Sequence, residues 1–486
     1  MATNPLTLSV PVHMSSLGQE FLTLGVNVIL TLSIDGMMFV HSVSLRWALY
    51  HEKRLDYNTN IRLLTSSSKS GPNQWYSNAA TLFFLVLSYG SSSVLVLLRG
   101  DPNKVFFADR DGPPTRPALN AIALIGLGIA LAGQASIAVW CLISSSHLIP
   151  TWSSNPLNTT LAAMQKGSLT HRPGRSMLSV HQKQQHSILG SYPLKRQGTM
   201  IKAQRSVFYI LIFLWVLAAA AVAWLATIMV LARERSGLKC WRPALEWVIT
   251  SNCSWNWVSF PAPPRLMYNL PETFSFSRPY TYSQSYSYSQ QAILNLVFTS
   301  AIQGLQTIGL HCVELIVNMS RDESSWRSAH SETRQGAKGL QLSTSPFRAA
   351  LSSWENAVLL VAKAALHWAA SQAMASYGYP DLMGTVFATV VIFVYPRIAL
   401  YAFLAFLLAV FATSLALRRP RGCQPATMGH LQTIADLVDD WETDETGRMW
   451  WGDKTGHLSE GMVLRHAGTS GDRRLLSGID FEAIYS

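Results

Sequence analysis

Charge is what this 486-residue chain has least of. Asp, Glu, Lys and Arg make up 13% of it, about half the share usual in soluble domains, and its mean hydropathy is positive. That excludes a string of ordinary soluble domains. Residues 1–20 contain no Lys or Arg, so the basic start of a cleavable secretory signal is missing. Five cysteines are too few for a disulfide framework. Catalytic signatures are missing too: no His-x-x-x-His pair, no Gly-x-Ser-x-Gly turn and no paired aspartates within apolar segments. Neither enzyme activity nor a cofactor or metal is expected.

Long apolar runs are what the chain has in excess. Seven of them, at 21–45, 79–98, 118–144, 207–232, 292–317, 349–370 and 382–417, approach or exceed the roughly 20 residues that cross a bilayer core as a helix. Backbone groups in lipid must satisfy one another, which makes such segments helices. The expected fold is all-α: a polytopic membrane bundle of about seven transmembrane helices with a small cytosolic C-terminal appendage, integral to the plasma membrane or the endomembrane system. The last run is ambiguous. It is 36 residues long, interrupted by Pro396-Arg397, and reads as one span with a tilted outer half in preference to two spans.

Basic residues orient these spans. Arg46, Lys53, Arg54, Arg62 and Lys69 follow the first run, and eight Lys or Arg lie in 145–206. Five more lie between Arg321 and Arg348, and Arg418, Arg419 and Arg421 open the tail. On the other side, 1–20 and 371–381 have none, although Arg99 and Arg233 directly flank spans. The balance puts the N-terminus (1–20) outside and the tail (418–486) in the cytosol. The net charge of +11 is then a matter of orientation and anionic lipid, and no nucleic-acid partner is expected.

Within this topology the basic, Ser/His/Gln-rich loop 145–206 is expected to be disordered. Loop 233–291 is expected to be lumenal, with Cys240 and Cys253 as a candidate disulfide and Asn252 (Asn-Cys-Ser) as the candidate N-glycosylation site. Its Ser/Tyr-rich stretch 274–290 suits a bilayer interface. Gly126, Gly128 and Gly133 in the third run, and Ala218–Ala221 in the fourth, suit close helix packing.

Ionisable groups inside spans are costly and call for a reason. Asp35 lies midway along the first span, and Lys363 and His367 share one face of the sixth. Glu314 follows His311 by three residues near the inner end of the fifth, and Glu355 opens the sixth. Counted from the cytosolic ends, Asp35 and Lys363 fall within about 6 Å in depth, so they can pair if their spans touch. Two readings stand: a polar track for protons, ions or a polar substrate, or salt bridges that fix helix packing.

The stretch Gln306-Thr-Ile-Gly-Leu-His-Cys-Val-Glu-Leu, with Ser320-Arg-Asp-Glu and Lys363-Ala-Ala-Leu-His-Trp, is one distinctive pattern. The tail's Gly429-His-Leu-Gln-Thr-Ile-Ala-Asp-Leu-Val-Asp-Asp-Trp441, Trp451-Gly-Asp-Lys454 and His466-Ala-Gly-Thr-Ser470 form the other. Over about the C-terminal 200 residues the chain resembles a family of uncharacterised multi-pass membrane proteins of filamentous fungi. That resemblance implies a fungal membrane protein and no particular chemistry. In the tail, Leu431, Ile434, Ala435, Leu437 and Val438 keep helical spacing, and Trp441, Trp450 and Trp451 must pack on that helix or on the membrane-facing loops. A membrane organising or sensor-like protein, with a tail that docks a cytosolic partner, is the first expectation; a transporter or channel using the Asp35/Lys363/His367 track is the second.

Overall fold

The computed structural model describes residues 9–11, 16–100, 115–182, 190–236, 254–257, 288–330, 339–342, 353–380, 386–455 and 464–486. The helices in chain order are α1 (Ser16–His51), α2 (Trp75–Ser93), α3 (Ala121–Ser145), α4 (Pro156–Gln165), α5 (Arg205–Ser236), α6 (Tyr288–Arg327), α7 (Trp354–Ala373), α8 (Tyr395–Leu417) and α9 (Leu431–Leu437). A single helical turn, Met200–Ala203, precedes α5. Among the described residues, five helices are long and apolar enough to cross a membrane: α1, α3, α5, α6 and α8. They carry an outward belt that includes Ile29, Ile125, Ile143, Tyr209, Val216, Val297 and Phe403, far more exposed apolar surface than water tolerates.

The expected second and sixth runs are helical as α2 and α7, but both are too polar to join those five. α2 packs between α3 and α6, and α7 among α1, α6 and α8. Enclosed on several sides, they hide Ser77, Asn78, Thr81 and Ser91 on α2 and Glu355, Lys363, His367 and Gln372 on α7. A helix facing protein on most sides needs less apolar surface than one facing lipid.

The fold is mostly helical, as expected, but it also holds a few strands. A six-stranded sheet runs β1-β3-β2-β6-β7-β4, from β1 (Ser9–Pro11), β2 (Val96–Gly100), β3 (Thr115–Asn120), β4 (Ser254–Trp257), β6 (Met374–Pro380) and β7 (Val386–Val394). β1 precedes α1, β2 follows α2, β3 precedes α3, β4 lies between α5 and α6, β6 follows α7 and β7 precedes α8. The sheet therefore gathers one end of every long helix, and successive helices alternate in direction. β7 also corrects the last apolar run, which is one strand plus one helix and not a 36-residue span. Val386–Val394 is β-branched and apolar at both faces, a pattern that periodicity cannot separate from a buried helix. Pro396 sits in the first turn of α8, where proline's missing N–H costs nothing.

Small side chains let the bundle close. Ala402, Ala405, Ala409, Ala412 and Ala416 of α8 share a core with Ala218 and Ala221 of α5. At Gly90 of α2 a Cβ would stand 1.8 Å from Ser300 Oγ and 2.8 Å from the Ser300 Cα of α6. Gly126 and Gly133 face Ser91 and Phe84 of α2, whereas Gly128 meets nothing within 4 Å.

A composite cap covers the opposite end. Its core joins Leu157 and Met177 from the third connection, Trp326 and Ala329 at the end of α6, and Ile434, Val438, Met449, Trp451 and Tyr485 of the tail. A three-stranded sheet, β10-β8-β5, frames it, from β5 (Leu340–Gln341), β8 (Arg448–Asp453) and β10 (Ala467–Ser470). Short strands β9 (Leu464–Arg465) and β11 (Ile484–Tyr485) pair in parallel. Loop 145–206, expected to be disordered, is ordered over its described residues. Its low hydrophobic content is offset by packing Leu157, Met177 and Val180 against partners distant in sequence. Of the tail's tryptophans, Trp451 is fully buried, with its ring centroid 6.4 Å from that of Trp326.

Candidate intramembrane charge network

Midway through the bundle, α1, α6 and α7 meet at Lys363. Its Nζ donates to Asp35 Oδ1 at 2.7 Å and to Glu314. Glu314 also accepts from Arg62 and lies 3.0 Å from His311 Nδ1, one turn earlier on α6. Arg62 enters from the α1–α2 connection, and its Nη1 donates to the Met38 carbonyl at 2.7 Å. Lys363 is 3% exposed, Glu314 18% and Asp35 31%. Two carboxylates and two cations make the cluster formally neutral, the only balance at which burying four charges is tolerable.

Toward the sheet, polar contacts continue. The His367 ring stacks on Tyr89 with centroids 3.4 Å apart and planes 7° apart. His367 Nδ1 donates to Gln303 Oε1 at 2.9 Å, and Gln303 Nε2 donates to Ser93 Oγ at 2.8 Å. Nearer the sheet, Arg397 binds Glu20 at 2.8 Å and donates to Gln372, which donates to Thr23 Oγ1 at 3.0 Å. These contacts satisfy buried polar groups of one helix through a neighbour, as a low-dielectric interior favours.

Of the residues singled out from the sequence, Asp35, Lys363, Glu314 and His311 come together, and His367 sits one turn along on Gln303. Glu355 stands apart. It accepts from Ser353 Oγ at 2.7 Å and Ser320 Oγ at 3.4 Å at the start of α7, where a carboxylate complements the helix dipole. Arg62, Tyr89 and Gln303 were missed: a loop arginine reads as a topological charge, and Tyr and Gln in a span give no signal until their partners are known. Cys240, Cys253 and Asn252 lie outside the described residues.

Below the network, the bundle is tied to the cap. Glu323 Oε2 accepts from the Thr427 and Met428 amides, both at 2.9 Å, and its Oε1 accepts from Arg327 Nε at 2.8 Å. Met428 and Gly429 have positive φ of 46° and 74°, the turn that aims successive amides at one carboxylate. Gly429 is required there, since a Cβ would stand 2.7 Å from Asp322 Oδ2. Asp322 in turn accepts from Asn58 Nδ2 at 2.9 Å and from Arg321 at 3.0 Å.

The cap holds a third cluster. Asp439 Oδ2 accepts from Lys454 Nζ at 2.9 Å and faces His466 Nε2 at 3.0 Å, while its Oδ1 accepts from the Thr469 amide at 2.7 Å. Burial opposes the charge on Asp439, but these donors outweigh it and hold the carboxyl below its usual range. The bond to Asp439 pushes His466 above its ordinary value against partial burial, and a main-chain oxygen of Ser486 at 2.9 Å from Nδ1 adds to the effect. No protein-family model, curated protein or solved structure matches this chain.

Proposed function

We propose that the chain is a seven-span integral membrane protein, N-terminus outside and cap in the cytosol, acting as a sensor-like or organising protein whose cap engages a cytosolic partner. The bilayer is its other partner. The observation that carries this reading is the continuity of α6. At 40 residues it is about 60 Å long, twice a hydrocarbon core. One uninterrupted helix carries Glu314 in the charge network and Asp322 and Glu323 in the cap. A shift of α6 at either place must move the other, which is the two-ended coupling a sensor needs.

The test is Glu323→Gln in lipid nanodiscs, followed by amide exchange. Coupling predicts faster exchange both at 427–438 and around His311–Glu314, with 391–394 in the sheet unaffected. Exchange changes confined to the cap would refute the coupling. For sidedness, a cysteine at Lys166 should react with an impermeant maleimide only after the membrane is opened; reaction in sealed cells would reverse the orientation.

A second reading, transport of a proton or small ion, is favoured by one observation. Asp35 is 31% exposed while its partner Lys363 is 3% exposed, leaving one charge of the network within reach of a solute. Flux in proteoliposomes that Asp35→Asn abolishes supports that reading; no flux with the wild-type chain removes it.

A further inference from the structure

At the cap end, α5 and α8 lie side by side and their lipid-facing surfaces stop together. Phe208, Tyr209 and Ile212 begin the exposed face of α5, and Leu417 ends that of α8. Immediately beyond stand six exposed cations: Arg196, Lys202, Arg205, Arg418, Arg419 and Arg421. Chain pairing holds the two segments together, with an antiparallel bridge between Arg196 and Arg421 and a bond from the Gln197 amide to the Pro420 carbonyl at 3.3 Å.

Two features set this patch apart. Neither 191–206 nor 412–422 contains an Asp or Glu, so neither segment supplies its own counter-charge. Several other arginines at this end, Arg54, Arg172, Arg321 and Arg327, each reach a carboxylate, although scattered cations such as Lys53, Lys69 and Lys166 form no salt bridge among the described residues. Among the described residues, the six side chains of the patch form no salt bridge. Unpaired cations gathered in this way repel one another, and an external anion relieves that repulsion.

We propose that this patch is a binding site for the headgroups of anionic phospholipids in the surrounding leaflet. The inference rests on the membrane-spanning orientation proposed above. Charge sign, arginine's fit to phosphate oxygens and a position at the edge of the apolar belt all select a lipid headgroup. Clusters of Lys and Arg just beyond a span attract anionic lipid. Headgroup binding here would pin the adjoining ends of α5 and α8 together and seat the cap against the membrane surface.

The test uses the full chain in phosphatidylcholine nanodiscs, with energy transfer from its tryptophans to a trace of dansyl-phosphatidylserine or dansyl-phosphatidylcholine. The wild-type chain should enrich the serine lipid severalfold over the choline lipid, and raised salt should erase the difference. The quadruple variant Arg196→Gln, Arg418→Gln, Arg419→Gln, Arg421→Gln should lose the enrichment, while Arg→Lys at the same four positions should keep it. All four side chains are exposed, so folding is not at stake; an unchanged elution profile checks this. Equal transfer to the two lipids in the wild-type chain, or enrichment unchanged by the Gln variant, overturns the proposal while leaving the spanning reading intact. Loss of enrichment with inorganic phosphate, beyond that with chloride at matched ionic strength, overturns it in favour of a free-anion site. A chain that fails to enter the disc at all, giving transfer to neither lipid, overturns both.

Discussion

Neutralising two charges of the intramembrane network together should cost less than the sum of neutralising each alone. In the wild-type chain Asp35, Glu314, Lys363 and Arg62 sum to zero. Asp35→Asn leaves a net +1 around a lysine that is 3% exposed. Lys363→Met leaves a net −1 shared by two carboxylates, and the double variant restores zero. Breaking a buried pair from one side costs about 3–5 kcal/mol. Two features reduce that here: Lys363 keeps Glu314 when Asp35 is changed, and Glu314 keeps Arg62 when Lys363 is changed. We expect a loss of about 2 kcal/mol for Asp35→Asn and about 3 kcal/mol for Lys363→Met. The double variant should be milder than their sum by about 1–2 kcal/mol. Denaturant unfolding of the detergent-solubilised chain, followed by tryptophan emission, reads all three. A double variant that costs the full sum would mean that Asp35 and Lys363 do not act as a pair, whatever their separation.

Two further outcomes follow from particular contacts. Gly90→Val should destabilise the bundle by about 1–3 kcal/mol, because the Ser300 Cα stands in the way as well as the movable Oγ. Gly128→Ala, with open space beside it, should be neutral or slightly stabilising; equal melting losses for the two would contradict the α2–α6 approach. In the cap, the bond to Asp439 raises His466 above the ordinary 6.5. Its contribution is complete below that value and is lost as pH rises through the folded value. Amide exchange at 464–470 should therefore accelerate as pH is raised above about 6.5 more than intrinsic exchange does, and His466→Gln should remove that excess. An excess that persists in the variant would assign the pH dependence to another group.

What the sequence by itself determined is where the long apolar helices lie. Runs of apolar residues with so few charges make α1, α3, α5, α6 and α8 long and apolar enough to cross a membrane, a property set by composition and spacing alone. It also marked Asp35, His311, Glu314, Lys363 and His367 as groups needing partners, since the desolvation penalty of an ionisable group in a span is legible before its neighbours are known. Tertiary structure decided who those partners are. Arg62 lies 252 residues from Glu314 and Tyr89 is far from His367 along the chain, and no local pattern records such meetings. It decided, too, that Val386–Val394 is a strand, because β6 stands ready to pair with it, and that loop 145–206 is ordered over its described residues. A segment too polar to build a core of its own can still complete one, when Trp326 and Trp451 wait for it at the end of α6.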